Sequence, residues 1–316
     1  MNMISRARLT RFLQSRAARI IFGTAIVLFS LAFLAYFTCS NWATLTAHHW
    51  QLDYGQLALT LLLHLCAYLV AIGAWHLMIN RLAGVGSLLL NAKIYCYSAV
   101  ARRLPGVAWD IATRVVMYDN AGVSKAVVSV ASVLELLLIA LSGTLFYLAL
   151  MPFTVSDVSR WGSWPPIAAV VLGIVSTHPR VVTYAVRKVK KDALPVSLRY
   201  RDTLLWLFLY LWTWIISGFM LYATVRVVYP LPTTHLLQLL VDWTLAGVLT
   251  SFVTFVPTAL GLKEVTLTLL MSRYMPEYIA MVAAILTRLL TVAYSILWMV
   301  WSTRLPGASE KWRADG

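Results

Sequence analysis

Charge is the scarcest property of this sequence. Only 12% of its 316 residues are Asp, Glu, Lys or Arg, about half the share of an ordinary soluble domain. Acids are scarcer still, 12 against 26 basic residues. The three cysteines, Cys39, Cys66 and Cys96, have no CxxC spacing, which excludes a disulfide framework and a cysteine-based zinc site. The motifs of soluble catalysis are missing too: there is no GxxxxGK[ST], HExxH or GxSxG, and no GxGxxG opening a helix. ATP hydrolysis, zinc proteolysis and serine hydrolysis therefore lack their minimum parts. No cofactor and no metal are expected.

What the chain has in abundance is apolar length. Hydrophobic residues make up 60% of it, and the mean hydropathy is +0.77. The apolar residues fall in blocks long enough to cross roughly 30 Å of hydrocarbon, which takes about 20 helical residues. Clear blocks are Ile20–Thr38, Gln56–Ile79, Ala126–Met151, Leu204–Val228 and Tyr278–Trp301. Pro165–Thr177 is shorter but extends toward Val186, and Leu236–Val256 is apolar except for Asp242. The composition is that of an integral membrane protein.

Basic loops set the orientation. Arg6, Arg8, Arg11, Arg16 and Arg19 precede the first block, whereas the loop from Cys39 to Tyr54 contains no Lys or Arg. The positive-inside rule puts the N-terminus in the cytoplasm and that loop outside. The segment His178–Arg201 and the tail with Arg304, Lys311 and Arg313 are basic again, so both belong inside. The net charge of +14 is then a topology signal and an attraction to anionic lipid, not a nucleic-acid footprint. The first block is expected to stay as a signal anchor. His64 and His76, both in the second block, read as hydrogen-bonding partners between helices rather than metal ligands.

Two stretches interrupt the helical pattern. One is "ARRLPGVAWDIATR", broken at Pro105-Gly106; the other is "LTSFVTFVPTALGLKEVTLTLLM", broken between Pro257 and Gly261. Proline removes a donor and glycine relaxes the chain, so each is a place for a helix to stop and restart. Irregular backbone at membrane depth is tolerated only inside protein or along a cavity, so both read as re-entrant helical hairpins. The expected fold is an all-α polytopic membrane protein with about six full spans and two oppositely inserted hairpins, in pseudo-inverted halves, with both termini cytoplasmic. Its expected parts are a basic N-terminus (1–19), a first half (20–177, hairpin about 88–118), a basic loop (178–202), a second half (203–302, hairpin about 236–272) and a tail (303–316). Broken helices at corresponding positions of two halves point to a substrate site between them.

Charges at membrane depth fall around these breaks. Glu135 and Arg288 are each the one charge in their span, and an ionised group near the bilayer centre costs about 2.5–3.5 kcal/mol on insertion scales, so it faces protein or water. The first hairpin carries Arg102, Arg103 and Arg114 before a span with Glu135; the second carries Lys263 and Glu264 before a span with Arg288. The signs are swapped between hairpin and following span, which suggests cross-pairing around one cavity. These seven are the expected headgroup-binding residues. Pro105, Gly106, Trp109, Pro257, Gly261 and Asp242 are expected to break or line the site. Freed helix N-termini and arginines both recognise phosphate, so an anionic lipid headgroup fits best.

"LPGVAWDIATR", then Gly122, Glu135, "VPTALGLKEVTL" and Arg288 together resemble the transmembrane domain of lysylphosphatidylglycerol synthases and its stand-alone flippase-like relatives. The resemblance runs from about Gln56 to Trp301. The family pattern has Pro-Gly followed by Trp and Arg, met by Pro105, Gly106, Trp109 and Arg114, and later Pro-Gly-Gly-x-Gly-x-x-Glu. In the second motif Thr258 and Ala259 stand where glycines would be, while Pro257, Gly261 and Glu264 remain. The resemblance implies a flippase-like translocase for a lipid headgroup in a bacterial cytoplasmic (inner) membrane. It associates the chain with glycolipid, polyprenyl-phosphate-linked sugar or hopanoid pathways. The synthases' aminoacyl-transfer domain has no counterpart here, so the partners implied are the lipid itself and a separate synthase or glycosyltransferase. The alternatives are a polytopic glycosyl- or phosphotransferase, for which no DxD and only Asp53 in the first outer loop are present, and a non-transporting membrane subunit.

Overall fold

Helix boundaries follow local chemistry along the chain. The structure, a computed structural model, describes residues 50–103, 108–154, 199–253 and 261–304, with scattered positions in 35–47 and 164–184. Most of the first and fourth expected spans, the loop 178–202, and Pro105, Gly106 and Pro257 lie outside the described residues.

Among the described residues, a short helix, Trp42–Ala47, is followed by eight helices with defined bounds: α1 (Tyr54–Ala83), α2 (Leu88–Ala101), α3 (Trp109–Asp119), α4 (Lys125–Leu150), α5 (Tyr200–Val228), α6 (Leu236–Val253), α7 (Leu262–Met271) and α8 (Glu277–Ser302). Asp53 starts α1 by accepting a hydrogen bond from the Gln56 amide, and Ser87 does the same for α2 through Leu90. Left-handed Gly84 closes α1. The restarting helices α3 and α7 are both entered through a left-handed residue, Ala108 (φ 61°) and Gly261 (φ 90°). Only glycine takes that conformation without strain, so Ala108 is held there by its surroundings.

The order long, short, short, long occurs twice, and α4 and α8 are both 26 residues long. Packing repeats with it. α1 touches α2 as α5 touches α6; α3 packs on α4 as α7 packs on α8; α4 meets α6 as α8 meets α2. The equivalent helices α1 and α5 share the largest interface and run antiparallel. At one end the Asp53 amide donates to the Val227 carbonyl (3.0 Å), and at the other Arg81 pairs with Asp202 (2.9 Å). Each pair of short helices is clamped at its base by the same bond. Tyr118 Oη donates to Asn91 Oδ1 at 2.7 Å in the first half, and Tyr274 Oη to Asp242 Oδ2 at 2.8 Å in the second.

No strand occurs among the described residues, and four helices there, α1, α4 with its following turn, α5 and α8, are long and apolar enough to cross a membrane. Large apolar side chains such as Leu62, Leu69, Phe208 and Leu297 face outward, the arrangement lipid rewards. The fold is that of an all-helical membrane protein.

Close helix approach at α4, α5 and α6 depends on two glycines. The indole of Trp214 (α5) lies between Gly143 (α4) and Gly247 (α6), where an added Cβ would come within 2.8 Å and 2.4 Å of its ring. Its N–H donates to the Ile139 carbonyl (3.1 Å) and Ser142 Oγ (3.2 Å). Small residues at such contacts let membrane helices pack without a hydrophobic driving force. Gly247→Val should therefore lower stability by about 1–3 kcal/mol through overpacking, read as a lower unfolding midpoint in detergent. An unchanged midpoint would show that Trp214 has another place to go.

Candidate functional site

The first charged cluster is buried outright. Arg114 on α3 and Glu135 on α4 are each 1% exposed and form an ion pair. Glu135 also accepts from Tyr210 Oη on α5 (3.2 Å), while Arg114 Nε donates to Ser98 Oγ on α2 (3.0 Å). The guanidinium stacks over the Trp75 ring of α1 at 3.8 Å. Five helices thus meet on one pair, and the satisfied bonds and the aromatic face offset the cost of burying two charges.

Beside this pair lies a cavity of about 250 Å³ between the two broken helix pairs, walled by α1, α2, α5, α6, α7 and α8. Its charged lining is Arg102, Arg103, Lys263, Glu264 and Arg288. Arg102 is met by Asp110 (2.9 Å) and lies 3.9 Å from Glu135, so it joins the cavity to the buried pair. Arg288 and Glu264 face each other more loosely, at 3.6 Å. Arg103 and Lys263 have no carboxylate within 4.0 Å among the described residues. Lys263 Nζ rests 3.2 Å above the Trp243 ring instead.

Several buried polar atoms of the lining have no hydrogen-bond partner among the described residues: Arg103 Nε, His64 Nδ1, Tyr68 Oη, Trp243 Nε1 and Glu264 Oε2. A buried donor or acceptor left unmade costs about 1–3 kcal/mol, more when charged. Five of them around one cavity mark a place suited to a polar guest or water.

The sequence-predicted residues separate into groups. Arg102, Arg103, Lys263, Glu264 and Arg288 converge on the cavity; Arg114 and Glu135 stand behind its wall. The expected cross-pairing is not what the structure shows: each restarting helix pairs with the long helix that follows it, with opposite sign in the two halves, Arg114 to Glu135 and Glu264 to Arg288. The pairing stays within each half rather than crossing between them. Asp242 is not in the cavity lining. It is 1% exposed and closes the base of the second helix pair with Tyr274, Arg273 (2.7 Å) and Gln238 (3.2 Å). Trp109 is 49% exposed and turns away from the cavity, and Gly261 starts α7.

His76 makes the expected contact between helices, its Nδ1 2.8 Å from Asn91 Nδ2. His64 does not: its Nδ1 is unpartnered and its ring lies 4.6 Å from that of Tyr294. His64, Tyr68, Tyr95 and Trp243 are lining residues that sequence reasoning missed. Their spacing on long apolar helices looks like ordinary core, and only the neighbouring helices reveal which face they share. Among the described residues no cluster of His, Cys, Asp or Glu could hold a metal ion. Compared with family models, curated proteins and solved structures, the chain matches none.

Removing one member of the buried pair should be costly. Arg114→Ala leaves Glu135 buried with only the Tyr210 hydroxyl and the more distant Arg102, a loss of about 3–5 kcal/mol, while Arg114→Met with Glu135→Leu should recover most of it. Arg103→Ala, which deletes a cation without a carboxylate partner among the described residues, should leave the unfolding midpoint unchanged or raise it. Denaturant unfolding in detergent, followed by tryptophan fluorescence, separates the three variants.

Proposed function

We propose that the protein is a lipid translocase of the flippase-like class, carrying an anionic headgroup between leaflets while the acyl chains stay in lipid. The observation that carries this reading is the cavity itself: four cationic side chains around it, two of them, Arg103 and Lys263, without a carboxylate partner among the described residues. A charge kept unpaired inside an apolar protein is a functional device more often than a structural one. Phosphate suits it, because guanidinium and ammonium groups form short charge-assisted hydrogen bonds to its oxygens.

In this reading the pairs α2/α3 and α6/α7 are re-entrant hairpins inserted from opposite faces, within six full spans and with both termini in the cytoplasm. The antiparallel course of the equivalent helices α1 and α5 supports inverted halves, the architecture that places a substrate site at the bilayer midplane. The resemblance of "LPGVAWDIATR" and "VPTALGLKEVTL" to the lysylphosphatidylglycerol synthase transmembrane domain points the same way, and with it a bacterial cytoplasmic membrane. Movement is downhill or driven by the membrane potential, which is worth about 2.3 kcal/mol per charge per 100 mV.

Leaflet exchange of fluorescent lipids in liposomes holding the purified protein tests the proposal. Wild type should exchange phosphatidylglycerol faster than phosphatidylcholine. Each lost phosphate contact removes about 1.5–3 kcal/mol, a factor of about ten or more, so Arg103→Ala with Lys263→Ala should abolish the anionic preference in a protein that still folds. Equal exchange by wild type and the double variant would sink the reading.

A further inference from the structure

The two halves match in their packing except at one seam. α4 and α5 are close-packed, but the equivalent helices α8 and α1 scarcely approach each other along their backbones. Ten and fourteen residues after the first residue of their helices, α5 places Tyr210 and Trp214, and α1 places His64 and Tyr68. In the closed seam these positions are locked, Tyr210 to Glu135 and Trp214 into the cleft made by Gly143 and Gly247. In the α1/α8 seam the residue equivalent to Gly143, eighteen after the first of its helix, is Ser295.

Aromatic side chains span that gap instead. His64 lies against Tyr294 at 4.6 Å, Tyr68 stacks on Trp298 at 5.5 Å with a 16° interplanar angle, and Tyr294 lies 6.2 Å from Trp298. Tyr68, Tyr294 and Trp298 are all only part-buried. The seam is continuous with the cavity, because His64, Ala67, Tyr68 and Ala71 on α1 and Thr287, Arg288 and Thr291 on α8 line it. On its outer side are exposed Leu69, Ile296 and Leu297. The wall therefore passes from cationic inside, through aromatic, to aliphatic outside, the polarity sequence of a phospholipid from headgroup to chain.

We infer that the α1/α8 seam is the lateral doorway of the site: a phospholipid enters through it, its phosphate reaching Arg103 and Lys263 while its acyl chains lie in the groove under Tyr68, Tyr294 and Trp298. This rests on the reading of the cavity as a headgroup site, and it excludes a water-soluble anion as the natural occupant. Aromatic contacts between side chains of two helices part without breaking any backbone bond. The closed seam, with glycine contacts and a buried carboxylate, has no such freedom.

The test links the seam shut. In a background of Cys39→Ala, Cys66→Ala and Cys96→Ala, His64→Cys and Tyr294→Cys are joined by a short reducible thiol cross-linker. The protein is then reconstituted with phosphatidylglycerol bearing a diazirine near the carbonyl end of one acyl chain. After irradiation, label is mapped on peptides covering the hairpin tips, residues 99–103 and 261–267. The doorway predicts that label at the tips is lost in the linked protein and returns on reduction. Equal labelling in both forms overturns it, as does capture of water-soluble glycerol phosphate with no capture of the lipid. As a second variant, Tyr294→Leu with Trp298→Leu keeps α8 apolar but removes the aromatic panel, and should increase tip labelling; unchanged labelling counts against the doorway. If linking blocks tip labelling but no variant or wild type exchanges lipid, the doorway stands and the translocase reading falls.

Discussion

The ion pair of Arg114 and Glu135 is the point on which the first half of the molecule is assembled. It is buried to 1% exposure on both sides and touched by side chains of α1, α2 and α5 as well as by its own helices. Burying two charges in an apolar bundle is unfavourable unless geometry and extra hydrogen bonds repay it, so the pair tolerates few arrangements of its surroundings. Satisfying it fixes the depth of α3, and with it the position of Arg102, which Asp110 holds at 2.9 Å on the cavity wall. The specificity of the site is in this sense set one layer behind it. The same pair holds α3 in place, because it ties that helix to α1, α2 and α4.

The second half repeats the plan with the opposite outcome. Glu264 and Arg288 occupy the corresponding arm and following helix, but at 3.6 Å and facing the cavity rather than sealed behind it. Glu264 keeps one oxygen without a partner, and Lys263 next to it rests on an aromatic face. A cation over an indole is held by about 0.5–2 kcal/mol, less than a phosphate contact supplies. In the proposed headgroup site, Lys263 would therefore leave Trp243 for a phosphate at modest cost. One half seals its ion pair behind the cavity wall and the other presents it to the cavity, although both are built on the same order of helices and a tyrosine bond at the base of each short-helix pair.

Much of this was legible in the sequence where one physical rule dominates. Apolar length placed α1, α4, α5 and α8 to within a few residues, because lipid imposes it directly. The breaks at Pro105-Gly106 and Pro257–Gly261 announced two restarting helices. Charges beside the breaks pointed to Arg102, Arg103, Lys263 and Glu264, and a lone charge in an apolar span to Arg288, since a charge in an apolar run has to face something polar. What could not be read was which neutral residues share a face. His64, Tyr68 and Trp243 differ from core residues only in what packs opposite them. Asp242 looked like a lining residue for the reason Glu135 did, being a lone acid in an apolar helix; its partners Arg273 and Tyr274 lie beyond α7, and only the folding back of that helix brings them near. The clamp of Tyr118 on Asn91 was equally hidden, because a tyrosine at the end of a short helix carries no signal of its own.

The arrangement of charge also bears on how such a site would cycle. Arg102 and Arg288 have carboxylates nearby, whereas Arg103 and Lys263 have none within 4.0 Å among the described residues, so a headgroup carrier of this design would be electrostatically costlier without its anionic cargo than with it. An anionic headgroup lowers that cost, and the saving grows as water is squeezed out, since the same attraction is several times stronger at low effective dielectric than in water. Reorientation with cargo is then easier than reorientation without it. A carrier with that bias exchanges lipid for lipid faster than it produces net transfer. Its net rate depends on whatever neutralises the two cations on the return, whether counter-ions, water or a second lipid. The aromatic seam fits the same constraint. As the proposed doorway, it would limit the contact of the cavity's cations with hydrocarbon when closed and would open at small cost, because the contacts across it are between side chains.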